Sequence, residues 1–193
     1  MDDESADPLN VLWRDGGVVE DQTLTLKFRH VGGLATLLRS RPGSVPPLST
    51  PPGGQVHGVL YRLDSRSLAA LTAAASRGGY RVQQLSVTTY GGASVTASVL
   101  VSQRSALLKA EVAPPEAYMR LLRDGAAEQF LSPHYQAWLS SIETVPSVGL
   151  PPAYWDTPGS EASRAFAVAA TAVAVVTALV TALGPGAAAA LQL

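Results

Sequence analysis

Fifteen carboxylates, three histidines and no cysteine set the chemistry open to this 193-residue chain. Without cysteine there is no thiolate nucleophile, disulfide, iron–sulfur cluster or Cys-ligated zinc. His30, His57 and His134 stand far apart with no ligand-like spacing, so no metal site is expected. Neither common Gly-rich phosphate motif occurs, and no cofactor is expected. Carboxylates can still carry protons. Ser65 or Ser67 suits the N-cap of an apolar helical pattern, and Asp64 just before it offers a further cap. Glu111 and Glu116 flank the Pro114-Pro115 pair, and Glu128 lies further on. Tyr80 and Tyr118 read, on the residues alone, as packing tyrosines whose hydroxyls find partners.

The elements that would position these residues lie between about 22 and 143. TLTLKF (23–28) alternates as a strand, GLATLL (33–38) is a second apolar run, and VHGVLY (56–61) reads as a third strand. The Pro/Gly-rich stretch 41–54 between the last two holds neither helix nor central strand. SRSLAALTAAAS (65–76) reads as a helix ended by Gly78-Gly79. Two β-rich runs, 80–89 and 93–102, flank Tyr90-Gly91-Gly92, a hairpin signal. Helices are expected at 116–123 and from about 133 to 142, with Pro133 in a first-turn position. The order β-β-β-α-β-β-α-α predicts an α+β domain: a small mixed or antiparallel sheet with flanking helices.

The ends differ in kind. Residues 1–20 carry six acids and one base, Arg14. Residues 1–21 therefore read as an acidic tail, unlike an Arg-rich transit peptide. LNVLW (9–13) and GVV (17–19) leave room in it for a short strand. Residues 144–164, rich in Pro, Gly and Ser, read as a linker. From Ala165 to Leu193 there is no charge. The stretch 165–183 would be roughly 28 Å long as a helix, close to a bilayer's hydrocarbon thickness. Eight alanines and only two leucines make its insertion marginal. It is expected to be a single C-terminal membrane anchor, followed by a short tail, 184–193. The alternative is an Ala-rich helix that packs on a partner protein. Arg164 then leaves the N-terminal body on the cytosolic or equivalent side. The formal net charge of -1 argues against a nucleic-acid partner.

The residues of the central region resemble one family. GGLATLLRSRPG (32–43), VHGVLYRL (56–63), a helix with Leu-Ala-Ala-Leu, and GGYRV (78–82) follow the order seen in gamma-glutamylcyclotransferases. Ala117-Tyr118, Gly125-Ala126-Ala127-Glu128, Leu131, Tyr135, Leu139 and Ile142-Glu143 resemble that family's closing helices in register. The resemblance covers about 30–143. It implies a small barrel-like α+β fold (β-barrel-like sheet, flanking helices) with a pocket on one side. It also implies a reaction in which a substrate's α-amine attacks its own γ-glutamyl carbonyl, releasing 5-oxoproline. Intramolecular attack needs little beyond proximity and one carboxylate that first takes and then returns a proton.

Carried over residue by residue, the resemblance assigns Tyr118 and Tyr80 to substrate binding. It puts the catalytic Glu of the family at Ala75 and the Asp of its Leu-Asp-x-x-Glu segment at Thr72. The family's Tyr-Gly-Ser turn occurs nowhere in the chain; LWRDGG (12–17) is the nearest string. The expectation is a membrane-anchored, catalytically impaired relative. It would bind a γ-glutamyl small molecule or serve as a subunit of a membrane complex. Two alternatives stand beside it. One is an active cyclotransferase with an unrecognised base. The other is a chain lacking its first strand, which would leave an open sheet edge.

Overall fold

The computed structural model describes residues 11–39 and 51–147, together with the backbone of Ala178–Leu179. Residues 1–10, most of the 41–54 loop, the linker from 148 on, the 184–193 tail and all but two residues of the 165–183 stretch lie outside the described residues.

The first strand, β1 (Val11–Val19), falls in the part of the chain read as tail. Its Asp15-Gly16-Gly17 looks like a turn. The glycines are there because neighbours come close. A Cβ on Gly17 would lie 2.8 Å from Val87, and one on Gly16 would lie 2.7 Å from the Tyr90 ring. β1 pairs antiparallel with β4 (His57–Leu63) on one side and β5 (Tyr80–Thr89) on the other. β5 and β6 (Ser94–Ser102) form an antiparallel hairpin in register from Tyr80↔Ser102 to Thr88↔Ser94. Its turn follows the Tyr90-Gly91-Gly92 signal, with Gly92 at φ +87°. A two-residue strand, β7 (Ala178–Leu179), lies between β4 and β6 and closes a barrel in the order β1-β4-β7-β6-β5. The remaining strands, β2 (Leu24–His30) and β3 (Leu34–Arg39), form a separate antiparallel pair. The class is α+β with antiparallel sheets and flanking helices, as expected.

Three helices cover this sheet system. α1 (Ser65–Arg77) starts where the sequence predicts it. The Asp64 carboxylate accepts the Ser67 N–H at 2.7 Å, a cap worth about 1 kcal/mol. It stops at Gly78-Gly79. Gly79 has φ +82°, and a Cβ there would meet Ala106 at 2.7 Å, so both backbone and space demand glycine. α2 (Glu116–Glu128) runs five residues beyond the predicted 116–123, burying Tyr118, Met119, Leu122, Gly125 and Ala126 along one face. α3 (Pro133–Ser141) packs beside it, burying Tyr135, Trp138 and Leu139. The main core joins Leu26, Phe28, Leu60 and Val99 from the strands to Tyr118, Leu122 and Leu139 from the helices. A smaller cluster of Leu63, Leu71, Ala75, Tyr80 and Leu100 lies under α1. Among the described residues no helix is long and apolar enough to cross a membrane.

Candidate functional site

Three elements carry the residues that the sequence singles out. Ala75 lies in the last turns of α1, Tyr80 opens β5 after the Gly78-Gly79 stop, and Tyr118 lies in the first turn of α2. The fold brings the two tyrosines to the backbone of one residue, Ala35. The Tyr118 hydroxyl accepts the Ala35 N–H at 3.1 Å, and the Tyr80 hydroxyl donates to the Ala35 carbonyl at 3.3 Å. β3 is thereby held by its backbone between two side chains from distant parts of the chain. Tyr118 is 0% exposed and Tyr80 1%. Burial pushes the Tyr118 hydroxyl well above the ordinary tyrosine range, so it stays protonated.

Ala75 packs beside Tyr80 and is 2% exposed. Leu63, Leu71 and Leu100 complete its surroundings in this small cluster. The position that the resemblance reserves for a proton-carrying glutamate is therefore a methyl group in an apolar wall. Asp64 caps α1. Glu111 accepts the Phe28 N–H at 3.2 Å, and Glu116 sits in the first turn of α2. Among the described residues no group of three or more His, Asp or Glu side chains is placed to hold a metal ion.

The sequence reading passed over His30. It ends β2, is 4% exposed, and stacks on Tyr80 with ring centroids 4.0 Å apart and planes 15° apart. Its Nδ1 lies 2.8 Å from the Ser102 hydroxyl. The ring also bonds the Gly78 backbone, and burial lowers its pKa to about 4. Thr36 Oγ1 accepts the Ser102 N–H at 2.9 Å. Together His30, Tyr80, Ser102 and Thr36 form a buried polar knot. The inward register of LTLKFRH was the available signal. His30 and Ser102 are 72 positions apart, and no spacing rule joins them.

A second feature lies on the outside of β1. Arg14, Asp15, Gly16, Tyr90, Glu128, Gln129 and Phe130 line a cleft of about 330 Å³. The Tyr90 hydroxyl accepts the Ser132 N–H at 2.9 Å and lies 2.8 Å from His57 Nδ1. Glu128, one of the candidate carboxylates, is thus on this cleft and not in the cluster around Ala75. Phe130 follows α2 in a left-handed conformation, φ 51°, and is 85% exposed. Its N–H bonds Ala127 O while Leu131 N–H bonds Ala126 O, a helix end that usually carries glycine. Phe130→Gly is expected to raise stability by about 0.5–1 kcal/mol, read as a higher urea midpoint at unchanged slope. A lower midpoint would mean that the ring makes contacts worth more than its backbone strain.

A five-stranded barrel, an accompanying strand pair and two closing helices, with tyrosines converging from α2 and β5, define the class of this protein. The chain has a gamma-glutamylcyclotransferase-like fold. A solved gamma-glutamyl cyclotransferase superposes with a TM-score of 0.51 at 23% identity, covering 70% of this chain and 77% of that one. A crystal structure of an uncharacterised human protein gives 0.52 at the same identity and coverage. In sequence, the gamma-glutamylcyclotransferase family protein YtfP of Escherichia coli K12 is 47% identical over 47 residues. The protein of the same name in Shigella flexneri matches equally. The match takes in 24% of this chain and spans 42% of the length of those relatives. No family model matches the chain.

Proposed function

We propose that this chain is a gamma-glutamylcyclotransferase-like domain that has lost the cyclisation step and acts by binding. Its ligand class is a γ-glutamyl small molecule or a partner protein in a membrane complex. The observation that carries the reading is Ala75. Cyclisation requires removal of a proton from the substrate's α-ammonium group and return of a proton to the leaving nitrogen. A methyl group can do neither, and the surrounding leucines offer no substitute at that point. The tether in this reading is the uncharged stretch 165–183, inserted at the expense of the Ala178–Leu179 pairing in the barrel, with the domain on the cytosolic or equivalent face.

The second reading, an active cyclotransferase, draws on the same site. Tyr80 and Tyr118 converge on the backbone of Ala35, and their retention supports it. The two readings separate in one assay. Purified protein incubated with γ-glutamyl-alanine or glutathione is expected to release 5-oxoproline at the background rate. Release above a Tyr118→Phe control at a rate typical of enzymes would establish the second reading. The tether is tested apart from this. Alkaline carbonate is expected to leave the full chain in the membrane pellet and to release a chain lacking 165–193; release of both removes the tether.

A further inference from the structure

We propose that the cleft between β1, the β5–β6 turn and the end of α2 binds a small zwitterion with an apolar arm, the chemistry of a free α-amino acid. Its volume of about 330 Å³ lies within the range of small-molecule sites, about 300–1,000 Å³. Nothing in the reading of Ala75 enters this inference. Ala75 packs in the cluster under α1, and none of the buried residues of that cluster lines the cleft.

Two opposite charges line the cleft. Arg14 comes from β1 and Glu128 from the last turn of α2. Among the described residues neither makes an ion pair or a hydrogen bond; the ion pair present joins Arg39 to Asp21. Both nevertheless stand near one hydroxyl, that of Tyr61, which is opposite Arg14 in the β1–β4 ladder. Burial raises the pKa of that hydroxyl, while Arg14 lowers it and Glu128 raises it. Asp15, the other acid of the cleft, accepts the Gly16 N–H at 2.7 Å, so Glu128 is the carboxylate left for a ligand. A guanidinium and a carboxylate that do not pair with each other match a ligand carrying both a carboxylate and an ammonium group.

The apolar arm is read from two rings. Tyr90 is fixed in place. Its hydroxyl accepts the Ser132 N–H at 2.9 Å and lies 2.8 Å from His57 Nδ1, and a Cβ on Gly16 would lie 2.7 Å from its ring. Phe130 is the reverse, 85% exposed on a left-handed backbone with φ 51°. Both features cost stability, and backbone strain of this kind clusters at ligand clamps. An apolar arm lying on this ring would cover the most exposed large apolar side chain among the described residues.

The test is a titration of the full chain with L-phenylalanine, followed by NMR at the Gly16 and Gln129 amides. Saturable shifts at millimolar concentration or below are expected. Phenethylamine, which lacks the carboxylate, and 3-phenylpropionate, which lacks the ammonium, are expected to bind about ten-fold more weakly or worse. Arg14→Gln and Glu128→Gln, both at exposed positions, are expected to weaken L-phenylalanine binding by a similar factor. Phe130→Gly separates binding from folding. It is expected to raise the urea midpoint and yet weaken L-phenylalanine binding about ten-fold, a combination that misfolding cannot produce. Absence of saturable shifts overturns the proposal. So does equal binding of the one-charge analogues, or parent affinity in any of the three variants. 5-Oxoproline release reports the reading at Ala75 separately, so either can fail alone.

Discussion

Ala75→Glu, the substitution that formally restores a carboxylate at the family's position, is expected to destabilise the domain by about 3 kcal/mol or more. 5-Oxoproline release is expected to stay at background. The side chain would enter a space 2% exposed and walled by Leu63, Leu71, Tyr80 and Leu100. Overpacking such a site costs about 1–3 kcal/mol. A carboxyl placed among leucines adds a desolvation cost of similar size and is driven toward its neutral form. For a domain of this size the melting temperature should fall by about 10 °C. Ala75→Gly, which adds no volume, should cost only about 1 kcal/mol through helix propensity. A Glu variant as stable as the parent, or one that releases 5-oxoproline, would show that room for a base persists beside Tyr80.

The second large effect is a loss of stability in mild acid. His30 has its pKa lowered to about 4 from an ordinary 6.5, chiefly by burial. The folded state therefore resists a proton that the unfolded state accepts. Above pH 6.5 both states are neutral at this ring and stability is complete. Between pH 6.5 and 4 the unfolded state takes the proton first, and up to about 3 kcal/mol is lost. Below pH 4 this ring contributes no further change. His57, also lowered by burial, acts in the same direction. Glu20, held below its usual range by hydrogen bonds from Ser94 and Thr88, loses its contribution only at lower pH. The same holds for Asp21, bonded by Thr23. Urea unfolding at pH 7, 5.5 and 4 measures the slope. His30→Phe keeps a ring against Tyr80 and is expected to flatten most of it while lowering stability at pH 7. An equally steep slope in that variant would assign the acid sensitivity to other groups.

Much of the fold was legible because local chemistry and tertiary context agree. The Asp64 cap, the Gly78-Gly79 stop and the Tyr90-Gly91-Gly92 turn each impose a boundary that the structure keeps. β1 was obscured for the opposite reason. Residues 9–13 and 17–19 offer short strand pieces inside an acidic tail, and what joins them across Gly16 and Gly17 is the approach of Tyr90 and Val87, residues some seventy positions later. Likewise the helix read over 116–123 stops short of Gly125, which is buried within α2, where helix packing overrides propensity. At the site, Tyr80, Tyr118 and the substitution at Ala75 were reachable through resemblance. Their meeting at the Ala35 backbone and the stacking of His30 on Tyr80 arise from pairings across the whole chain, which no local pattern encodes.

The side chain of Arg123 carries one further consequence. From α2 it donates through Nε to the Leu139 carbonyl at 3.1 Å and through Nη2 to the Ile142 carbonyl at 2.9 Å. One guanidinium thus clasps the closing end of α3 to the helix that bears Tyr118. Removing that side chain would leave these two carbonyls at the C-terminal end of α3 without their donor, at the point where a helix is short of partners for its carbonyl groups.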